Sequence, residues 1–223
     1  MKVIITGSTG YVGSEVIRQA IADERITHIF ALTRKPLPED LAKNSKVTVI
    51  EHQDFSTYPP ELLAKLAGAE ACIWTLGGRA YQFPDVETAR KVSVDYTLAA
   101  AKAFIEQLAP QLPEPQKFRF LFCSGKWAEW DEKKNMRMLA DTRIIKGQVE
   151  KGLCDLADAN KDKFETWSVR PGAIMRKHAG LMNLLTVNTA GFIGLDHLAK
   201  AMLTIVINGH KDRILEADEL LKL

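Results

Sequence analysis

Short apolar segments alternate with longer amphipathic segments along the chain. The short segments, rich in Val, Ile, Leu and Phe, predict buried strands at Lys2–Thr6, His28–Thr33, Val47–His52, Ala71–Leu76, Arg119–Ser124 and Thr166–Arg170. The longer segments repeat apolar residues at helical spacing and predict helices at Tyr11–Ala22, Pro60–Leu66, Val86–Leu108, Asp141–Ala159 and Asp196–Ile207. Because strands that alternate with helices form parallel βα units, the pattern predicts a doubly wound α/β fold, with a parallel sheet flanked by helices.

One domain accounts for the whole pattern, so residues 1–223 are predicted to form a single domain. No internal repeat or low-complexity segment interrupts the alternation. The late segment 177–192 has no clear strand pattern, and we interpret it as a loop that covers the substrate.

The segment between the first predicted strand and the first predicted helix reads Thr-Gly-Ser-Thr-Gly-Tyr-Val-Gly. In a dinucleotide site, Gly7 permits the tight turn, Gly10 lets the backbone approach a pyrophosphate, and Gly13 allows close packing of the helix on the strand. The free amides at the helix start then bind the anion. The sequence therefore predicts a Rossmann-type dinucleotide site that includes Thr6, Gly7, Ser8, Thr9, Gly10, Tyr11, Val12 and Gly13.

The residues after the second predicted strand indicate which dinucleotide binds. A carboxylate at this position holds the ribose 2′-hydroxyl of NAD, whereas an arginine suits the 2′-phosphate of NADP. This chain has Thr33, Arg34 and Lys35 there, and its next carboxylate is Glu39. Because a guanidinium grips a phosphate with two hydrogen bonds, we predict NADP(H) as the cofactor. The alternative is that both cations belong to a solvated loop.

Asp54 and Phe55 directly follow the third predicted strand, where the adenine is expected to lie. The Asp54 carboxylate can accept a hydrogen bond from the adenine amine, and the alternative is that it caps a turn. Both residues are included in the predicted cofactor site.

Composition and charge exclude several classes of partner. The chain has 30 Lys and Arg against 28 Asp and Glu, and no basic run alternates with aromatic residues, so we expect no nucleic-acid partner. The longest apolar stretches are shorter than a membrane span. The three widely spaced cysteines, Cys72, Cys123 and Cys154, are interpreted as reduced thiols, and the first strand begins at Lys2 without room for a targeting segment. We therefore expect a cytoplasmic protein that does not contact a membrane.

The chain resembles the short-chain dehydrogenase/reductase superfamily, in its extended or atypical branch, over nearly its whole length. Residues 6–13 look like the TGxxGxxG of that branch. Three more segments resemble its cofactor-lining glycine turn, the start of its long fourth helix and the Arg-Pro-Gly near its nicotinamide: Leu76-Gly77-Gly78, Val92–Thr97 and Arg170-Pro171-Gly172. The run Ile145–Glu150 is similar to small atypical members of the Tat-interacting, oxidoreductase-like type.

The resemblance implies catalysis by a serine, a tyrosine and a lysine, with the spacing YxxxK between the last two. In the superfamily the tyrosine protonates the carbonyl oxygen, the lysine holds the nicotinamide ribose and the serine hydrogen-bonds the substrate oxygen. Matched onto this chain, the serine is Ser124 and the lysine is Lys146, but Thr142 stands where the tyrosine belongs. No tyrosine follows Tyr96, and a threonine hydroxyl is far less acidic than a phenol. Ser124, Thr142 and Lys146 are the candidate catalytic residues.

Three functions remain open at this point. The chain is an enzyme that reduces a carbonyl or related group of a small-molecule substrate, with Tyr81, Asp131, Lys146 or a water as the proton donor. Alternatively, it is a regulatory or sensor protein that binds NADPH without redox turnover. The third function is a non-redox cyclisation or isomerisation beside the bound nucleotide.

Two further expectations concern the surroundings of the site. Trp127 and Trp130 follow Ser124, and they either wall an apolar substrate pocket or pack against the neighbouring helix. By analogy with the superfamily, the predicted helices Val86–Leu108 and Asp141–Ala159 form the interface of a possible homodimer.

Overall fold

The computed structural model describes residues 1–176 and 192–223. Its strands are β1 Lys2–Thr6, β2 His28–Thr33, β3 Val47–Glu51, β4 Ala71–Trp74, β5 Phe118–Cys123, β6 Phe164–Arg170, β7 Ala173–Met175, β8 Phe192–Gly194 and β9 Ile214–Glu216. Seven of them form a parallel sheet in the order β3-β2-β1-β4-β5-β6-β9, and β7 pairs with β8 in a separate parallel sheet. Of the predicted substrate-covering segment, residues 177–191 lie outside the described part, and Phe192 begins β8.

Helices connect the strands and cover the sheet. They are α1 Tyr11–Ala22, α2 Glu39–Ala42, α3 Pro60–Lys65, α4 Val86–Arg90, α5 Tyr96–Gln107, α6 Ala140–Ala159, α7 Leu195–Asn208 and α8 Ala217–Leu220. Short 3₁₀ turns lie at Ala80–Gln82 and Ala109–Gln111, and a π-helical turn lies at Lys91–Asp95. Over the two described stretches of chain, none of the helices has both the length and the apolar character that crossing a membrane requires.

The central strands are buried on both faces, which explains their nearly continuous apolar sequences. Successive side chains of a strand point to opposite faces of the sheet. Ile4 therefore packs on one face with Phe104 of α5 and Val149 of α6, while Ile5 packs on the other face with residues of α1 and α7. The doubly wound α/β prediction is confirmed.

One predicted helix differs in its detail. The stretch predicted as Val86–Leu108 consists of α4, the π-helical turn and α5 in succession. The apolar stripe predicted to face the sheet is buried at Val94, Ala101 and Ile105 and only half-buried at Leu98. A π turn inserts one extra residue into the helical repeat, and apolar periodicity over a few residues does not reveal that insertion.

Several short elements were not predicted: α2, β7, β8, β9 and α8. The strand β9 has three residues and joins the sheet edge by pairing with β6. Segments of three or four residues carry too little periodicity to be recognised, and pairing with a distant strand decides their conformation.

The strand order reverses beside β1, because β2 and β4 lie on its opposite sides. The connections that leave β1 and β4 therefore diverge and open a crevice at the carboxyl ends of the strands. In doubly wound sheets this crevice is where ligands bind.

Candidate functional site

A cleft of about 760 Å³ opens at the carboxyl ends of β1, β4, β5 and β6. Each of these strands contributes the loop that follows it, and α6 contributes a wall. The lining residues are Gly10, Tyr11, Val12, Gly13, Thr75, Leu76, Gly77, Gly78, Arg79, Gln82, Cys123, Ser124, Gly125, Lys126, Trp127, Ala128, Leu139, Thr142, Arg143, Lys146, Pro171, Gly172, Ala173, Ile174 and Phe192. The cleft brings together predicted cofactor residues and all three candidate catalytic residues.

Two glycine positions at the junction of β1 and α1 have no space for a side chain. Gly7 adopts a φ of +65°, and its carbonyl oxygen accepts a 2.8 Å hydrogen bond from the Gly10 amide. A Cβ on Gly13 would lie 2.3 Å from the Gly7 carbonyl oxygen and 2.7 Å from Thr75 Oγ1. These clashes explain why glycine stands at both positions, as the predicted motif requires.

The start of α1 is chemically suited to an anion. Its N-cap is Gly10, no side chain caps it, and no acidic residue lies in its first turn. The first amides of a helix have no partner within the helix and carry partial positive charge. The uncapped helix start, whose residues Gly10 and Tyr11 line the cleft, therefore fits the pyrophosphate of a dinucleotide.

Thr6 and Ser8 of the predicted motif are fully buried and support the loop from below. Ser8 Oγ donates to the Ile5 carbonyl oxygen at 2.8 Å. Thr6 Oγ1 accepts from the Thr75 amide at 3.3 Å, and Thr75 Oγ1 donates to the Thr6 carbonyl oxygen at 2.7 Å. Thr75 was not predicted, although its position directly after β4, one of the two strands at the reversal, is a usable signal. Thr9 is exposed and lies outside the cleft lining.

The predicted adenosine end lies at the end of β2, outside the cleft lining. Thr33 is buried, and its Oγ1 donates to the Lys35 carbonyl oxygen at 2.8 Å. Gln53 Nε2 donates to the Arg34 carbonyl oxygen at 2.9 Å, which fixes the backbone of this turn. The side chains of Arg34 and Lys35 are exposed, and neither pairs with a carboxylate in the part of the chain that the structure describes.

Asp54 caps a turn, which is the alternative that the sequence left open. Its Oδ1 accepts from the amide of Ser56 at 3.0 Å and from the Ser56 hydroxyl at 2.5 Å. These hydrogen bonds lower the pKa of the Asp54 carboxyl. The Phe55 ring is fully buried against Trp74 and Tyr96, with ring centroids 5.9 and 6.3 Å away. Phe55 is thus a core residue, and its ring has no surface left to contact an adenine.

A buried carboxylate, Glu150 on α6, is the centre of a polar network beside the cleft. It is fully buried and accepts hydrogen bonds from Ser124 Oγ at 2.6 Å and from Trp130 Nε1 at 2.8 Å. Arg170 contributes Nε at 2.9 Å and Nη2 at 2.5 Å, and its Nη1 also donates to Glu216 at 2.8 Å. The two carboxylates raise the pKa of Arg170 further above its ordinary value. All the strong acceptor positions of the Glu150 carboxylate are therefore used.

Lys146 lies in the wall of the cleft, one helical turn after Thr142. Its Nζ donates to the carbonyl oxygens of Cys123 at 3.2 Å and Ser124 at 2.9 Å, and it lies 5.4 Å from the centroid of the Phe122 ring. Burial lowers the pKa of the Lys146 ammonium, because desolvation disfavours the charged form. An ammonium has three N–H donors, and two of them are used by residues that the structure describes, which leaves one to bind a ligand.

Thr142 is buried and connects α6 to the loop after β4. Its Oγ1 accepts a 2.8 Å hydrogen bond from the Ala80 amide. Among the described residues, no acceptor takes the hydrogen of the Thr142 hydroxyl. Thr142 can therefore donate a hydrogen bond into the cleft that it lines.

The Arg-Pro-Gly segment is divided between two environments. Arg170 belongs to the Glu150 network and lies outside the cleft lining, whereas Pro171 and Gly172 line the cleft. The Pro171 carbonyl oxygen accepts from the Lys126 amide at 3.0 Å, which connects the loops after β5 and β6.

The two other side chains considered as proton donors lie outside the cleft, and the two tryptophans after Ser124 have different surroundings. Tyr81 is 63% exposed and accepts from Arg79 Nη1 at 2.7 Å, and Asp131 caps a turn through the Lys133 amide; neither lines the cleft. Trp127 lines the cleft and keeps 56% of its surface exposed, so it forms a wall and leaves the cleft open. Trp130 instead turns its indole to Glu150.

Two residues with left-handed backbone conformation mark the rim of the cleft. Trp127 has a φ of +66° and Leu139 a φ of +53°, and both line the cleft. Non-glycine residues adopt this conformation at an energetic cost and are concentrated at functional sites. The sequence contains no signal for either conformation, because neither residue type favours it.

Comparisons with known proteins give one partial sequence match and many structural matches. No protein-family model matches the chain. Leucinostatins biosynthesis cluster protein T of Purpureocillium lilacinum is 40% identical over 128 residues, which are 56% of this chain and 42% of that protein. The match thus spans less than half the length of that curated relative.

Solved structures resemble the chain over almost its full length. Gre2 of Candida albicans, solved with NADPH, has a TM-score of 0.74 at 17% identity and covers 96% of this chain and 77% of its own. The oxidoreductase ylbE of Lactococcus lactis has a TM-score of 0.68 at 19% identity, covering 100% and 95%. The dTDP-glucose 4,6-dehydratase DesIV of Streptomyces venezuelae, solved with NAD, has a TM-score of 0.71 at 14% identity. The match covers 97% of this chain and 75% of DesIV. The chain therefore shares its fold with an NADPH-bound protein, an oxidoreductase and a dTDP-glucose dehydratase, and two of these three were solved with a nicotinamide dinucleotide.

Proposed function

We propose that this chain is an NADP(H)-dependent oxidoreductase of the short-chain dehydrogenase/reductase superfamily that reduces a carbonyl or related unsaturated group of a small organic substrate. The observation that carries the proposal is a single cleft that joins the glycine loop after β1 to Ser124, Thr142 and Lys146. A helix start suited to an anion and a partly buried lysine in the lining of one cleft suit a dinucleotide that spans the strand-order reversal.

Each catalytic candidate has one role in the proposal. The nicotinamide, when bound, would supply a hydride to the substrate carbon. Thr142 donates its free hydroxyl hydrogen to the substrate oxygen, because its own oxygen already accepts from Ala80. Lys146 supplies the proton that this oxygen takes up, since burial lowers the pKa of its ammonium and makes it a better acid than an exposed lysine.

Ser124 takes a different role from the one that the superfamily resemblance implies. A serine hydroxyl has one hydrogen to donate, and Ser124 donates it to Glu150 at 2.6 Å. In this arrangement Ser124 cannot also donate to a substrate oxygen. The backbone carbonyl oxygen of Ser124 accepts a hydrogen bond from Lys146 Nζ and so positions Lys146. The lone pairs of the Ser124 hydroxyl can accept a hydrogen bond as well.

The experiment measures hydride transfer directly. NADPH that carries deuterium at C4 of the nicotinamide is incubated with the protein and a panel of aldehydes, ketones, enones and imines, and the products are read by mass spectrometry. We expect deuterium in at least one product, with loss of the label in Lys146→Met. The matched control is Lys102→Met, which changes an exposed lysine on α5 and should leave transfer unchanged.

A second candidate is an NADPH-binding regulatory protein without redox turnover. Two observations favour it: the Ser124 hydroxyl donates its only hydrogen to Glu150, and Tyr81 lies outside the cleft. Running Thr142→Tyr beside the unmodified protein separates the two. Deuterium in the product of Thr142→Tyr but not of the unmodified protein would favour the regulatory protein. If neither protein transfers deuterium although both bind NADPH, the reductase proposal is overturned.

A further inference from the structure

The charge of the cleft is unlike that of the chain as a whole. The chain is nearly balanced, with 30 cationic and 28 anionic side chains. The cleft is lined by Arg79, Lys126, Arg143 and Lys146 and by no aspartate or glutamate of the described residues. A cleft walled by one sign of charge concentrates ligands of the opposite sign.

Three of these cations have no carboxylate partner within residues 1–176 and 192–223. Arg79 Nη1 donates to the neutral Tyr81 hydroxyl, and Arg143 Nε donates to the Trp127 carbonyl oxygen at 2.7 Å. Lys126 Nζ lies 5.2 Å from the centroid of the Trp127 ring. Hydrogen bonds to neutral groups orient these side chains and leave their charges uncompensated, in contrast to Arg170 with its two carboxylates.

The position of the three cations separates them from the phosphates of the proposed cofactor. They lie after β4, after β5 and on α6, on the same side of the strand-order reversal as Lys146. The proposed pyrophosphate site is the start of α1, and the proposed 2′-phosphate site is Arg34 at the end of β2, on the other side of β1. The uncompensated charge therefore lies away from the proposed phosphate sites, in the same cleft lining as Ser124, Thr142 and Lys146.

Apolar surface accompanies the charge. Trp127, Leu139 and Phe192 line the same cleft and are 56%, 43% and 41% exposed. Trp127 contacts two of the cations, since Lys126 Nζ lies near its ring and Arg143 Nε donates to its backbone carbonyl oxygen. A ligand that satisfies this surface has an oxyanion and an apolar body.

We propose that the substrate is a small organic anion, an apolar body that carries a carboxylate or a phosphate, and that Arg79 and Arg143 recognise its oxyanion. That the anion is a substrate rests on the proposed reductase function, whereas the anion site itself is argued from the cleft alone. A carboxylate and a phosphate each offer two oxygens that accept hydrogen bonds from one guanidinium. The probes described next distinguish the two groups.

The test is calorimetric titration of the whole chain, with and without saturating NADP⁺. The probes are trans-cinnamate, phenyl phosphate and the neutral trans-cinnamamide, each at low salt, with octanoate and octanamide as a second acid and amide pair. We expect an anion to bind about tenfold or more tightly than its amide, the range for a hydrogen-bonded charged group. The preference should shrink in 0.5 M salt, roughly as screening of charges predicts.

Variants assign the effect to the cleft. Arg143→Gln and Arg79→Gln should each reduce the preference for the anion by about tenfold. The matched control, Arg18→Gln, removes a half-exposed arginine of α1 that does not line the cleft, and should retain the preference. Thermal melting of each variant shows whether it is folded before it is titrated.

The results of these titrations test the anion site separately from the proposed reductase function. The anion inference is overturned if neither acid binds better than its amide and phenyl phosphate binds no better than cinnamamide. It is also overturned if Arg18→Gln loses the preference as much as Arg143→Gln. If NADP⁺ fails to bind while the preference for anions persists and depends on Arg143, the reductase proposal fails and the anion site stands. A stronger preference for phenyl phosphate than for cinnamate would identify the oxyanion as a phosphate.

Discussion

Ser124 Oγ donates a 2.6 Å hydrogen bond to the fully buried carboxylate of Glu150, 26 residues later in the chain. The same carboxylate receives two hydrogen bonds from Arg170 and one from Trp130. The end of β5, the end of β6 and the loop after β5 are thereby connected to one side chain of α6. This connection holds Ser124 and its neighbour Lys146 at the same wall of the cleft.

Glu150→Gln should strongly destabilise the protein. An amide in place of the carboxylate leaves the Arg170 guanidinium without a buried counter-charge, and loss of one partner of a buried ion pair costs about 3–5 kcal/mol. Chemical denaturation followed by circular dichroism measures the change. Glu216→Gln is the control, because Glu216 is half-exposed and its bond to Arg170 is worth less than about 1 kcal/mol. Equal losses in the two variants would contradict the central position of Glu150.

Arg34→Ala should reduce the preference for NADPH over NADH. The Arg34 side chain is exposed, has no carboxylate partner among the described residues and follows β2, where the 2′-phosphate is proposed to lie. Loss of a charge-assisted contact predicts that the ratio of the two dissociation constants falls by about tenfold or more. Fluorescence titration of both nucleotides measures the ratio, with Lys43→Ala, another exposed cation, as the control. Equal affinities of the unmodified protein for NADPH and NADH would show the prediction to be wrong.

Lys146 should react with an acylating reagent at a lower pH than the exposed lysines do. The neutral amine is the reactive form, and burial lowers the pKa of Lys146, so its reactive fraction rises earlier as the pH increases. Competitive labelling across a pH series, read residue by residue by mass spectrometry, gives the midpoint for each lysine. The exposed Lys102 in the same digest is the internal control. A shared midpoint for Lys146 and Lys102 would contradict this.

Gly147→Ala should destabilise the contact between α6 and the loop that carries Glu129. A Cβ at Gly147 would lie 1.8 Å from the Glu129 carbonyl oxygen, so the backbone of this loop has to move, at a cost of about 1–3 kcal/mol or more. Gly152→Ala on the same helix is the matched control, since its Cβ would meet only the end of the Leu98 side chain. Denaturant midpoints should fall clearly for Gly147→Ala and little for Gly152→Ala. The reverse order would refute the packing argument.

The sequence alone determined the elements that depend on local periodicity. The long helices and the strands of the sheet from β1 to β6 follow from apolar repeats, with boundaries within a residue or two. The glycine loop was recognised because its turn forms within one strand-turn-helix unit, as the 2.8 Å hydrogen bond from the Gly10 amide to the Gly7 carbonyl oxygen shows. The contact of Thr75 with this loop, which also excludes a side chain at Gly7, was not visible in the sequence. Contacts between residues that are close in the chain can be predicted from the sequence of that segment alone.

Only the tertiary structure decided which distant residues meet in the cleft. Glu150 binds Ser124 and Arg170, which lie 26 and 20 residues away in the chain, and Thr142 binds Ala80 at a separation of 62. The cations Arg79, Lys126 and Arg143 come from three segments that look like ordinary polar surface in the sequence. Their grouping depends on the strand order and on how α6 packs against the sheet, and neither is encoded in a local repeat, because each is the outcome of packing over the whole core.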